Sequence, residues 1–160
     1  MFSSELLPIY LNDHLTLATA GRDLARRSAG SNKSTELGDF LSDFAADVTA
    51  DREKLVDVMA RLDVAPDRVK VAAGWLGEKL GRLKLNGRLL EYSPLSRVIE
   101  LEGLIAGVNA KLALWRTLAA AAVEEPRIAD IDFAHLLERA REQLEGLEAH
   151  HGTAVAAMLV

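Results

Sequence analysis

The chain of 160 residues has no cysteine, so disulfide scaffolds, thiolate metal sites and thiol nucleophiles are excluded together. It also lacks any stretch near the ~18 apolar residues a transmembrane helix needs. The N-terminal Met1-Phe2-Ser3-Ser4-Glu5 carries no basic segment, and Asp13 and His14 interrupt the apolar run behind it, which is not a signal-peptide pattern. The expected location is therefore the cytoplasm, without membrane contact. There is no excess of positive charge either: 19 Lys and Arg against 24 Asp and Glu leave a net charge of −5, which opposes general binding to nucleic acid or to an anionic surface. The sequence contains no G-x-S-x-G, no G-x-x-x-x-G-K-[ST], no G-x-G-x-x-G behind a strand and no H-E-x-x-H, so hydrolase, nucleotide-binding and zinc-protease chemistry has no anchor.

What is present is a composition that folds. Apolar residues are 49% of the chain and charged residues 27%, too apolar for a disordered tail and too charged for a membrane protein. The length suits one domain spanning residues 1–160.

No segment alternates with a period of two, whereas five segments carry a 3.6-residue apolar period, so the fold class is all-α with five helices. The first is expected over about 6–28, with Leu7, Leu11, His14, Ala18, Gly21 and Ala25 on its stripe, and Gly30-Ser31-Asn32 closes it. The second opens with Ser34 as cap and runs to about Asp63, its stripe passing through Leu41, Phe44, Val48, Asp51, Leu55 and Met59. Pro66 starts a third helix, faced by Val69, Ala73, Leu76, Leu80 and Leu83 and stopped by Asn86-Gly87. Ser93-Pro94 caps and starts a fourth, with Val98, Leu101, Ile105, Val108, Leu112 and Trp115 inward, lasting to about Val123. Glu124-Glu125-Pro126 breaks the chain, and Asp130 or Asp132 caps a fifth helix bearing Phe133, Leu137, Ala140, Leu144, Leu147, His151, Ala154 and Met158.

Short loops force the first and second helices, and the fourth and fifth, into antiparallel hairpins. The third helix, ~30 Å long at 1.5 Å per residue, can carry the chain from one end of the bundle to the other. Two hairpins joined by a long crossover resemble the ferritin-like four-helix-bundle superfamily over nearly the whole chain. The segments Tyr10-Leu11-Asn12-Asp13-His14, Lys79-Leu80-Gly81-Arg82-Leu83-Lys84-Leu85-Asn86-Gly87 and Tyr92-Ser93-Pro94-Leu95-Ser96 are also similar to small bacterial proteins of that type. The resemblance implies an up-and-down bundle and does not imply an activity.

Two pairs of polar residues lie on the apolar stripes. With the first hairpin turning near residue 32, His14 stands level with Asp51; with the second turning near 126, Glu102 stands level with His151. A carboxylate opposite an imidazole satisfies both when buried. Ferritin-like metal proteins hold two irons, or manganese, with lone Glu residues and Glu-x-x-His pairs. Glu148-Ala149-His150-His151 contains one such pair and Glu102 suits a lone carboxylate, so the metal-binding alternative uses His14, Asp51, Glu102, Glu148 and His151. The second helix departs from the pattern, with Ala50 and Lys54 where histidine is wanted. The two levels also fall ~10 Å apart along the bundle, against ~4 Å between the ions of a dinuclear site. The reading adopted is that the four residues form plain buried pairs without metal; His150 is expected to be solvated.

The third helix is basic. Arg68, Lys70, Lys79, Arg82, Lys84 and Arg88 against Asp67 and Glu78 leave it at +4, while the rest of the chain carries −9. Such a helix can dock an acidic partner, an adaptor role, or lie on its own acidic neighbours; it lacks the interleaved aromatics of a nucleic-acid binder. Gly74, Gly77 and Gly81 cost ~1 kcal/mol each against Ala and point to close helix approach. Those glycines, with the uncharged run Ala154 to Val160, point to a homodimer. The leading function is a non-enzymatic bundle acting through its surfaces; the alternative is a metal-binding protein of oxidative or storage role.

Overall fold

A computed structural model describes residues 5–67 and 92–159. The expected third helix, with its basic residues Arg68, Lys70, Lys79, Arg82, Lys84 and Arg88, its glycines and Trp75, lies outside the described residues. Pro66 is inside them, in residues 64–67, which form no helix.

The described chain is all helical, without strands: α1 Leu6–Ser31, α2 Glu36–Arg61, α3 Pro94–Ala121 and α4 Phe133–Met158, with one 3-10 turn at Pro126–Ile128. Ser93 Oγ accepts from Ser96 N at the start of α3, with Pro94 in the first turn, and Asp132 accepts from His135 N at the start of α4. Both caps satisfy amide donors that the first turn leaves open.

At α2 the cap is Thr35, whose Oγ1 accepts from Gly38 N, and not the expected Ser34. Ser34 adopts φ 62 in the turn itself, a left-handed conformation that does not aim its hydroxyl at the helix start. The first turn of α2 rests on the end of α1 so closely that a Cβ at Gly38 would lie inside contact distance of the Asn32 carbonyl. Gly38→Ala is therefore expected to cost about 1–3 kcal/mol, since backbone has to move, and urea denaturation reads the loss. At the other end of α2, Asp63 takes φ 58, Val64 N bonds Met59 O and Asp63 N bonds Ala60 O, the paired bonds that close a helix through a left-handed residue.

Side-chain contacts fix the topology. Tyr10 meets Thr117 and Asn32 meets Arg97, so α1 and α3 run antiparallel. Phe40 packs on His150 and Asp47 meets Gln143, so α2 and α4 do too. With each hairpin antiparallel internally, α1 and α4 point one way and α2 and α3 the other.

The chain leaves the first hairpin at the end where α1 begins. There Asn12, 6% exposed, donates to Ala65 O and accepts from Asp67 N. It resumes at the opposite end, where the Tyr92 hydroxyl bonds Asn32 and Glu100. The points of departure and return thus stand a bundle length apart.

The core has two apolar storeys. One, at the end where α1 begins, gathers Leu11, Leu15, Leu55, Met59, Trp115 and Leu118; the other gathers Leu24, Leu41, Phe44, Leu101, Leu104 and Leu147. Fully burying each such side chain contributes about 1.5–3 kcal/mol before chain entropy is set against it.

Candidate functional site

A polar layer lies at mid-bundle. Asp51 on α2 is 4% exposed, and its two oxygens receive Lys111 Nζ from α3, at 2.6 Å, and the Arg139 guanidinium from α4. Lys111 also donates to Gln143 Oε1, and Gln143 Nε2 donates to Asp47 Oδ2 at 3.4 Å. Asp47, Asp51, Lys111, Arg139 and Gln143 thus form one network drawn from three helices, with two negative and two positive charges. Burial pulls Lys111 below the ordinary lysine range, while the facing Asp51 works in the opposite direction.

The expected His14–Asp51 contact is not the one the structure forms. Asp51 is bonded across to the other hairpin, and no hydrogen bond joins it to His14. His14 is half-buried, its ring edge-on to Tyr10 at 4.6 Å between centroids, and it lines one cavity with Asp51.

The partners of Asp51 lie on inward faces wider than one stripe. Leu104, Val108, Lys111 and Trp115 follow helical spacing, as do Leu136, Ala140, Gln143 and Leu147, and both sets are inward. The stripes read from the sequence, through Ile105 and Leu112 and through Leu137 and Leu144, do border the core, but a line drawn through apolar residues leaves out the polar Lys111 and Gln143 beside it.

The second pair does meet: His151 Nε2 stands 3.3 Å from Glu102 Oε1. It lies at the surface and not in the core, with the Glu102 side chain 57% exposed. A pair so open to water contributes little. Glu148 is exposed, whereas His150, expected in solvent, is half-buried with its ring 4.7 Å from that of Phe40.

Burial lowers the pKa of His14, with Asp13 opposing it. A depressed imidazole pKa means that the unfolded chain takes up the proton first. The His14 contribution is thus complete above about pH 6.5 and lost as pH falls toward the folded value. His14→Gln, neutral at every pH, is expected to lose less melting temperature than the parent between about pH 7 and about pH 5. Paired thermal melts across that range check the sign.

The residues weighed as iron or manganese ligands do not make a donor set at mid-bundle. Asp51 already faces two cations, Glu102 and His151 sit at the surface, and Glu148 is exposed. Among the described residues, no group of three or more His, Asp or Glu is placed to hold a metal ion. A divalent ion on Asp51 would have to displace both Lys111 and Arg139.

None of the described helices is long and apolar enough to cross a membrane. Comparison of the chain with protein-family models, with curated proteins and with solved structures returns no match.

Proposed function

We propose that the protein is a non-enzymatic, ferritin-like helical bundle that works through its surfaces as a homodimer, its centre held by ions of its own chain where metal-binding bundles place theirs. The observation that carries this reading is the pairing of Asp51 with both Lys111 and Arg139. Two fixed cations there neutralise the carboxylate and repel a metal dication. The antiparallel hairpins, with departure and return at opposite ends, support the ferritin-like part of the proposal.

Association is supported by where exposed apolar side chains collect. Leu6, Ile9 and Val123 stand at one end of the bundle, and Leu95, Met158 and Leu159 at the other. A second copy docked on either end would shield the group there.

Protein purified without chelator is expected to carry no stoichiometric iron, manganese or zinc. Its melting temperature should not move when chelator is added, since no bound ligand is lost, and it should sediment as a dimer. Stoichiometric metal, or a melting temperature that falls with chelator and recovers with metal, would replace this reading by a metal-binding one. Sedimentation as a monomer at high concentration would remove the dimer alone.

A further inference from the structure

Between α1 and α3 the wall of the bundle is incomplete at mid-height. Leu17, Ala18 and Gly21 form one lip of an opening and Gly107 and Ala110 the other, all of them half-buried, with the buried Phe44 of α2 behind them. Neither lip carries a charge at these positions. The contacts of Tyr10 with Thr117 and of Asn32 with Arg97 set Gly21 level with Gly107, and a Cβ built on either meets no described atom within 4 Å. Apolar surface left in this way gains from a cover.

The chain itself points to the occupant. Its first described part stops at Asp67, whose N–H donates to Asn12 on α1, and it resumes at Tyr92, whose hydroxyl bonds Asn32 at the far end of α1. Asn12 and Asn32 stand about 30 Å apart at 1.5 Å per residue, and residues 68–91 reach about 36 Å as the helix their sequence predicts. A connection of that length follows α1. On the flank against α2, Thr19 accepts from Arg52 and Thr49 accepts from Arg26, so polar side chains already bridge it. The flank against α3 holds the apolar opening. The Tyr92 hydroxyl bonds Glu100 of α3 as well as Asn32, so the chain re-enters between α1 and α3. The predicted helix also supplies what the opening lacks, an apolar stripe with Leu76 and Leu80 at its middle.

We propose that the opening between α1 and α3 is the seat of residues 68–91 of the same chain, with Leu76 and Leu80 at the height of Gly21 and Gly107. The small residues on both lips then serve the close approach of a fifth helix. This face is closed to a second copy, and association falls to the apolar ends of the bundle. The proposal rests on the described contacts and not on the metal-free or dimeric parts of the reading above.

The chain has no cysteine, so pairs of introduced thiols report proximity without background. In the full-length chain, Gly77→Cys is combined in turn with Gly107→Cys, with Ala46→Cys on the α2 flank of α1, and with Glu145→Cys. Glu145 is exposed on α4 near the height of Gly107, as the contacts of Lys111 with Gln143 and of Glu102 with His151 fix it. A short bismaleimide joins the thiols, since it tolerates an error in register that a disulfide does not. The Gly107→Cys pair is expected to close within one chain about tenfold or more faster than either other pair, its thiols being held at high effective concentration. Another pair closing as fast would overturn the proposal. So would a link formed mainly between two chains, because a second copy then fills the opening. Ala110→Cys repeats the measurement at a lip position that already carries a Cβ, so the absence of a link from it overturns the proposal whatever Gly107→Cys does to folding.

Discussion

Replacing Asp51 with alanine is expected to destabilise the protein by about 3–5 kcal/mol, the usual consequence of removing one member of a buried ion cluster. Lys111, with its side chain 13% exposed, and Arg139, at 23%, would then face each other at mid-bundle without the carboxylate between them. Asp51→Asn should fall nearly as far, because it keeps the volume and loses the charge. Removing all three charges together, as Asp51→Leu with Lys111→Met and Arg139→Met, is expected to return most of the loss, since apolar replacement of such clusters is often neutral or stabilising. Urea denaturation of the three variants measures the series. A triple variant no better than the single one would mean that the layer acts through shape and not through charge balance.

The second large effect is expected at Trp115. Trp115→Ala should cost about 3–5 kcal/mol, a figure typical of truncating a large buried aromatic. The indole is 1% exposed and packs toward Phe133 at 6.3 Å between centroids, joining α3 to the start of α4. Its removal would enlarge the existing cavity instead of leaving a void that neighbours can close. Trp115→Phe should cost only about 1–2 kcal/mol, because it keeps most of the apolar volume. No hydrogen bond within the described protein is lost with the indole N–H. Calorimetric melts of both variants separate packing from the donor.

The ends of the helices were legible in the sequence because caps are local chemistry. Ser93-Pro94 and Asp132 carry their own donors, acceptors and backbone preferences; the first stands where expected, and the second is one of the two positions, Asp130 or Asp132, that the sequence left open. Thr35 was not legible as the cap of α2, since the left-handed turn at Ser34 depends on how closely α2 approaches Asn32. The Glu102–His151 pair was readable from counting along one hairpin, as the two residues are related by a single short connection.

Counting failed for Asp51 because its partners come from the other hairpin, whose height and rotation no loop length states. Lys111 and Gln143 were hidden because each is a polar residue beside an apolar stripe that does face the core. An inward face wider than one stripe also takes in such neighbours, and apolar periodicity does not mark them.

The bond between Asn32 and Tyr92 has a consequence for the order of folding. It joins positions 60 residues apart, whereas the turns at Asn32 and Pro126 close much shorter loops. Closure entropy grows by about 0.6 kcal/mol for each doubling of a flexible loop. Bringing the hairpins together thus carries roughly 2–3 kcal/mol more entropic cost than closing a four-residue turn. Each hairpin can form while the other is still searching, and the end that carries Asn32, Tyr92, Arg97 and Glu100 locks only when two nearly finished halves meet. The slow event in folding is then the docking of preformed surfaces, with the ion layer assembling last because it draws side chains from both.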